Sequence, residues 1–405
     1  MPLIDIWKAN PTAVEQMSIE QIVATAGNGR LTDHSQCSAE LRLFLQQVSS
    51  DAIARYIEYC LSNSFSKSGF VLQDLVNELG RRLDYDVQNG LYQGRSNTIG
   101  QDGLWASPED HHLVIEVKTT DAFRISLEIV ANYKKRLIAA GEVDEPVSIL
   151  IVVGRQDTGD LEAQVRGSRH AWDVRLISTD ALVKLVQIKE STEEPNTLVK
   201  IRGLLIPVEY TRVDQLIDVL FTAAKDVEAA VESEQDLDLQ GQEEKKKRHF
   251  DITDRATLQT KRQSILSALE RQHDVRLIKK TRATYWDSLR SVRVVCTISK
   301  RYEKAGQTSY WYAYHPSWDE FLEAGDKSFF VLGCVDLNIA FAIPQKVLQP
   351  LLPNLNTTEK DDGTMKWHIK IVEEPSGDFF LWIPKQPDNF SLNDYIVQLL
   401  QTQTV

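Results

Sequence analysis

Two carboxylates and a lysine stand in one short stretch of the chain. Asp102 precedes a short polar turn, and the apolar run after that turn ends in Glu116-Val117-Lys118. Side chains alternate between the two faces of a strand, so Glu116 and Lys118 are predicted to point the same way. Asp102 is predicted to lie on the preceding strand, where the turn would bring it alongside, so the three charged groups would converge on one small space. Two carboxylates suit Mg²⁺, which keeps several of its waters, and a neighbouring lysine can stabilise developing negative charge.

Asp102 followed by Glu116-Val117-Lys118 resembles the motif of the PD-(D/E)XK nuclease superfamily, which has the restriction-endonuclease-like fold. One position departs from the motif, because Gln101 stands where the family often has proline. The resemblance implies that Asp102, Glu116 and Lys118 are catalytic. It implies that Asp102, Glu116 and the backbone carbonyl of Val117 hold Mg²⁺, with Mn²⁺ able to substitute.

The predicted elements around this motif follow the order helix, three strands, helix, strand, helix, strand, helix. The run Val147 to Val153 is rich in β-branched residues, which is typical of a strand covered on both faces. Glu78, on the helix before the first strand, holds the place from which the family often adds a further metal-side glutamate. The resemblance covers about residues 69–187 and implies an α/β fold, a restriction-endonuclease-like α/β/α sandwich with a mixed central sheet.

A chain of 405 residues is long enough for two or three domains. Apolar residues follow a helical spacing from Ala39 to Cys60 and again from Thr211 to Val231, where the helix offers a candidate face for a dimer. We predict a helical segment at 1–65, a nuclease domain at 66–205, a helix and charged linker at 206–248 and an α+β domain at 249–405.

The charge of the chain is unevenly distributed. The net charge of -12 argues against a nucleic-acid-binding surface over the whole protein. From Lys245 to Arg301, however, sixteen basic residues face five acidic ones. Such an asymmetry suggests local contact with nucleic acid, although solvated helix faces would give the same count. The candidate contacts are Lys245, Lys246, Lys247, Arg248, Lys279, Lys280, Arg282 and, for base stacking, Trp286.

Several other classes of protein are disfavoured by the composition. No apolar run reaches the length of a membrane span, and the chain has no recognisable phosphate-binding loop. The four cysteines are far apart and are predicted to be buried thiols in a reducing cytosol rather than zinc ligands or disulfides. His111 and His112, beside the second strand of the motif, are expected to be exposed loop residues.

These observations together predict a cytoplasmic Mg²⁺-dependent endonuclease that hydrolyses DNA, of the kind found in bacterial restriction or antiviral defence. Cutting both strands would call for a homodimer or larger oligomer. A partner protein or small-molecule activator is also compatible with this prediction. Two alternatives stay open. The substrate is RNA or branched or single-stranded DNA, or the domain is a non-catalytic nucleic-acid-binding subunit of a defence complex.

Overall fold

The chain forms two compact units, Met1–Glu232 and Ser233–Val405. The computed structural model describes residues 2–93, 99–119, 126–154, 159–192, 195–207, 213–214, 216–217, 220, 255–304, 307–359 and 365–399. The predicted helix and charged linker at 206–248 therefore lie almost entirely outside the described residues.

The first unit alternates helices and strands after an all-helical start. Its elements are α1 (Pro2–Ala9), α2 (Pro11–Glu15), α3 (Ile19–Thr25), α4 (Gln36–Leu45), α5 (Ser50–Ser62), α6 (Ser68–Arg82), β1 (Asp86–Asn89), β2 (Gly103–Ala106), β3 (His112–Lys118), α7 (Leu127–Ala139), β4 (Val147–Val153), α8 (Gly159–Arg166), β5 (Val174–Ser178), α9 (Thr179–Ser191) and α10 (Pro195–Leu205). From α6 to α9 this is the predicted order of elements.

The strands of the first unit form one mixed sheet. The five strands among the described residues of this unit lie in the order β1-β2-β3-β4-β5. β1 pairs antiparallel with β2, and β2 pairs antiparallel with β3, to which the short turn at 107–111 joins it. β3, β4 and β5 pair parallel, since α7 and α8 carry the chain back across the sheet each time. The mixed α/β character predicted from the sequence is confirmed.

The two faces of the sheet pack against different helical layers. Leu113 and Ile115 of β3 join the core that contains α6 and α9. Val114, between them, joins the core that contains α7 and α8. All seven residues of β4 are buried, as the sequence predicts for a strand covered on both faces. The alternation places Glu116 and Lys118 on the face that carries α7.

The N-terminal helices share their core with α6 and α9. Residues from Leu3 to Cys60 belong to the same buried cluster as the apolar face of α6. The helical spacing from Ala39 to Cys60 is divided between α4 and α5, because Ser49 interrupts the run. Its side chain accepts a hydrogen bond from the Ala52 amide and caps α5, and serine is a favoured residue at that place.

The second unit begins with a helix and continues mostly as strands. Its elements are α11 (Arg255–His273), β6 (Ile278–Lys279), β7 (Thr284–Trp286), β8 (Val292–Ser299), β9 (Tyr302–Lys304), β10 (Gln307–Tyr314), α12 (Pro316–Glu323), β11 (Lys327–Cys334), β12 (Ile339–Pro344), α13 (Gln345–Leu348), β13 (Thr357–Glu359), β14 (Met365–Glu373), β15 (Phe379–Leu381), β16 (Phe390–Ser391) and β17 (Ile396–Gln398). Within the described residues they build two sheets, one in the order β17-β12-β11-β8-β7-β6 and one in the order β16-β15-β14-β10-β9, with β13 on β14.

The first of these sheets is covered differently on its two faces. One face packs on α11 through Ile265 and Leu269. The other face joins a core that contains Tyr310, Tyr312 and Tyr314 of β10, so these tyrosines are buried, as the alternation of the strand requires. All four cysteines of the chain are free and buried. Among the described helices none combines the length and apolar character needed to cross a bilayer.

Candidate active site

The backbone around Asp102 is held by α6 and by the end of β1. Asp102 lies one residue before β2, rather than within the strand as expected. Its carbonyl oxygen accepts hydrogen bonds from Gln73 Nε2 at 2.8 Å and Asn77 Nδ2 at 3.0 Å. The Gly90 amide donates to the same oxygen at 3.0 Å. These three hydrogen bonds to one carbonyl fix the backbone of Asp102, and with it the position of the Asp102 Cα atom.

A close approach at Gly103 makes this anchoring geometry feasible. A Cβ atom on Gly103 would lie 2.2 Å from Asn77 Oδ1, so a larger residue would push the amide away. Asn77 Oδ1 in turn accepts a hydrogen bond from the buried Trp105 indole at 2.9 Å. This contact leaves Asn77 Nδ2 to donate to Asp102. The glycine after the aspartate and the amide on α6 therefore act as a matched pair.

The three charged residues of the motif meet at the carboxyl end of β3. Lys118 Nζ lies 2.5 Å from Glu116 Oε1. Asp102 Oδ2 accepts a hydrogen bond of 2.7 Å from the Val117 amide, so the aspartate is tied to the residue between the other two. The Val117 carbonyl belongs to the same short segment. The structure brings Asp102, Glu116 and Lys118 together, as the turn and the alternation of the strand predict.

Burial and mutual repulsion shape the electrostatics of this cluster. Burial, and next the charge of Glu116, raise the pKa of Asp102 to about 7, although the Val117 amide and Lys118 act in the opposite direction. Burial lowers the pKa of Lys118, but the charge and hydrogen bond of Glu116 together with the charge of Asp102 act in the opposite direction, and the pKa lies above its ordinary value. The lysine is therefore an ammonium near neutral pH, next to two carboxylates that repel each other.

The donor set fits a hard divalent cation. Within the described ranges, no group of three or more His, Cys, Asp or Glu side chains could hold a metal ion. Mg²⁺ needs only one or two carboxylates, since water completes its shell. Glu116 Oε2 is buried and has no hydrogen-bond partner. A buried carboxylate oxygen without a donor is costly unless a cation or a proton satisfies it. The raised pKa of Asp102 points the same way, because a cation between two carboxylates would relieve their repulsion.

Glu78 is held by a different set of contacts. Its Oε1 lies 3.1 Å from Arg82 Nε, and its Oε2 lies 3.6 Å from Arg81. Arg82 also donates to the carbonyls of Leu45 and Val48, which end α4 and begin the turn to α5. This buried ion pair ties α6 to the N-terminal helices. The structure does not bring Glu78 into the cluster of Asp102, Glu116 and Lys118.

Three residues near the cluster carry no motif signal. Gln73 and Asn77 are buried amides four residues apart on α6, and that spacing places both on one side of the helix. Buried amides on an otherwise apolar face are the signal that could have found them. Tyr133 of α7 is the third. Burial and next Glu116 raise its pKa, and its hydroxyl lies 2.9 Å from the place of a Cβ on Gly100.

The histidines lie at the other end of β3. His111 is buried, and His112 is the half-buried first residue of the strand, so the expectation of exposed loop residues is wrong for both. Its Nε2 makes a hydrogen bond of 3.0 Å with Ser148 Oγ. Burial, and next His112, lower the pKa of His111. Its contacts are those of a structural residue in the sheet.

The predicted nucleic-acid contacts divide into two groups. Lys245, Lys246, Lys247 and Arg248 lie outside the described residues. Lys279, Lys280, Arg282 and Trp286 lie on β6, β7 and the turn between them. Lys280 Nζ sits 4.5 Å from the centre of the Trp286 ring. That ring is half-buried and covered by a cation, which differs from the open face that base stacking would use.

No family model matches the chain, and no curated protein matches it.

Proposed function

We propose that the first unit is a Mg²⁺-dependent endonuclease that hydrolyses phosphodiester bonds in DNA. The observation that carries this proposal is the meeting of Asp102, Glu116 and Lys118 at one end of β3, on the sheet face that carries α7. The order of elements from α6 to α9 supports a restriction-endonuclease-like α/β/α sandwich as the fold. A role in bacterial restriction or antiviral defence is consistent with such a nuclease joined to a second unit.

Asp102, Glu116 and the Val117 carbonyl would hold the metal. Bound Mg²⁺ would polarise the phosphate and neutralise the charge that builds up on its oxygens. Asp102 enters with its backbone fixed by α6, so little reorganisation is needed when the substrate binds. Glu116 Oε2 has no hydrogen-bond partner, so a bound cation would compensate the cost of burying this oxygen.

Lys118 would act as a charged donor. Because its pKa is raised by Glu116, its ammonium keeps its proton near neutral pH. A protonated lysine cannot take a proton from water, but it can orient a water molecule and stabilise the pentacovalent phosphate. Its side chain is 33% exposed, against 10% for Glu116, so it faces the solvent from which substrate arrives. We therefore assign Lys118 to charge stabilisation and water orientation rather than to proton abstraction.

The decisive test is cleavage by the purified full-length chain. Plasmid, linear duplex, single-stranded DNA and RNA would be incubated with Mg²⁺ or Mn²⁺ and with EDTA. We expect metal-dependent nicking or cutting of DNA that is lost in Asp102→Ala and in Lys118→Ala. Asp110→Asn removes a carboxylate from the exposed turn of the same hairpin and should leave cleavage unchanged. The proposal is refuted if no substrate is cut with either metal, or if both alanine variants cut as well as the parent.

A further inference from the structure

The hairpin of β7 and β8 ends in a rigid turn. Asp287 Oδ1 accepts a hydrogen bond of 2.8 Å from the Val292 amide. The Asp287 carbonyl accepts one of 2.9 Å from the Arg290 amide. The single carboxylate of the turn is therefore engaged by the backbone that it shapes. Arg290 itself is exposed at the end of the hairpin.

Three cations gather on one aromatic side chain of this hairpin. Around the Trp286 ring centre, Lys280 Nζ lies at 4.5 Å, the Arg290 guanidinium carbon at 4.7 Å and the Arg293 guanidinium carbon at 5.9 Å. Lys280 and Arg293 also lie within 5.4 Å and 5.2 Å of the centre of the Phe321 ring. Cation–π contacts hold these side chains in place at modest energy. Lys280, Arg290 and Arg293 on Trp286 together form the hairpin cluster.

Two members of the hairpin cluster, Arg290 and Arg293, differ from other cations of the basic stretch in their pairing with carboxylates. Burial and next Arg290 lower the pKa of Arg293, with Asp287 opposing them. No described carboxylate forms an ion pair with Arg290 or Arg293 in the structure. Other cations of the basic stretch are different. Arg276 lies 3.1 Å from Glu270, and Arg301 lies within 3.5 Å of Glu303, Asp336 and Glu373. Arg290 and Arg293 therefore keep a charge that Arg276 and Arg301 share with carboxylates.

We propose that the hairpin cluster binds the phosphate backbone of the DNA substrate. Duplex DNA is a dense line of negative charge, and cations already held in place lose less side-chain entropy on binding it. Trp286 serves as the platform that positions the cations rather than as a surface on which a base stacks. The choice of DNA rests on the proposed nuclease function, whereas the choice of a polyanion rests on the cluster itself.

The test measures how binding of a fluorescent DNA duplex depends on salt. Full-length protein would be titrated in EDTA at several salt concentrations and followed by anisotropy. Each phosphate contact contributes about 0.9 to the slope of log affinity against log salt. We expect Lys280→Gln with Arg290→Gln to reduce the slope by about 1–2 and to weaken binding at every salt concentration. Arg293 is left intact, because its guanidinium also donates to the Phe321 carbonyl at 2.9 Å.

Two control variants make the result specific. Lys366→Gln with Lys370→Gln removes the same charge from β14, where each lysine also lies 5.4 Å from a tryptophan ring centre. This pair should keep the parental slope. Lys280→Arg with Arg290→Lys keeps the charge and should also retain the slope. Equal slopes for the parent and the hairpin variant would overturn the proposal, as would an equal loss in the β14 variant.

The binding result and the cleavage result are separable. A parent that cuts DNA while the hairpin variant keeps its salt slope would refute the hairpin cluster alone. A parent that cuts nothing, but loses slope in the hairpin variant, would refute the nuclease and leave the cluster as a polyanion-binding surface. Thermal melting of each variant checks that the fold is retained. If the glutamine variant does not fold, the charge-preserving pair with Trp286→Leu, which removes the platform, should show the reduced affinity instead.

Discussion

The two units of this protein contain hairpins of the same construction with different side chains. In the first unit β2 and β3 form the hairpin, α6 packs on one face, and β4 pairs parallel to β3. In the second unit β7 and β8 form the hairpin, α11 packs on one face, and β11 pairs parallel to β8. The difference lies on the other face, where a helix covers β3 but β10 of a second sheet covers β8.

The register of the two hairpins places their residues in matching positions. The Ser107 amide donates to the His111 carbonyl in the first turn, and the Asp287 amide donates to the Val292 carbonyl in the second. Counted from these closing hydrogen bonds, Ala283 takes the place of Gly103. By the same count Arg282 stands where the first hairpin has Asp102. Thr297 and Ser299 stand where it has Glu116 and Lys118.

Ser299 Oγ accepts a hydrogen bond from the Trp311 amide of β10, and Thr297 Oγ1 is buried without a partner. The arrangement of strands alone therefore does not make a site. Of these two hairpins, only the first carries two carboxylates and a lysine, on a face that a second sheet does not cover.

The largest expected effect distinguishes a substitution at Glu116 from a substitution at Thr297, the matching residue of the second hairpin. Glu116→Gln keeps the shape of the side chain but removes the negative charge of a proposed metal ligand, which also pairs with Lys118. We expect cleavage to fall about 100- to 1000-fold, the range seen when one group that stabilises a transition state is removed. Thr297→Val, at the matching place, should leave the rate unchanged, because its hydroxyl has no partner to lose. Initial rates on plasmid DNA measure both. Equal losses in the two variants would contradict a site confined to the first hairpin.

A second, smaller effect concerns Gly103, the first residue of β2, and Ala283, the matching residue just before β7. Gly103→Ala would press a methyl group against Asn77, which lies 2.2 Å from the Cβ position. Overpacking of this kind costs about 1–3 kcal/mol. We expect a lower melting temperature and a lower kcat, because Asn77 must release the Asp102 carbonyl to make room. Ala283→Gly, the reverse change in the second hairpin, should reduce stability slightly without changing kcat. A Gly103→Ala variant with parental stability and activity would show that the close approach is unimportant.

The smallest expected effect is a pH dependence carried by Asp102. In EDTA its pKa of about 7 exceeds the ordinary value of 3.8, so the folded protein keeps a proton that the unfolded chain loses between these values. Its contribution to stability is therefore full below about pH 4 and is lost as the pH rises through 7. Asp102→Asn should gain melting temperature relative to the parent at pH 8 compared with pH 4.5. Arg282→Gln, at the matching place, should follow the parental pH profile. A constant difference between Asp102→Asn and the parent across this range would contradict the raised pKa.

Much of the first unit could be predicted from sequence because its signals are local. The alternation in Leu113 to Lys118 and the β-branched run of β4 follow directly from the geometry of strands. The order of elements from α6 to α9 was predicted correctly for the same reason. The anchoring of Asp102 could not be predicted, since Gln73 and Asn77 act through a carbonyl and leave no trace in spacing. The contacts of Glu78 could not be predicted either, because its position on the helix does not reveal that its side chain pairs with Arg82.

The second unit was less predictable because its architecture depends on long-range pairing. The alternating burial of β10, with its tyrosines inside, is the part that follows from strand geometry. Nothing local shows that β8 pairs with β11, or that β10 closes the face above Thr297. The charge count likewise cannot separate Arg301, which is neutralised by three carboxylates, from Arg290, which is not. That distinction requires the fold.

The hydrogen bonds that fix Asp102 all join residues of the first unit. Gln73 and Asn77 precede Asp102 by 29 and 25 residues. Val117 follows it by 15 residues. Each of these contacts closes a loop of 15 to 29 residues inside the first unit, which is synthesised before the second. We therefore expect these contacts to begin forming during synthesis, while the second unit has yet to be made. These anchoring contacts themselves involve no residue of the second unit.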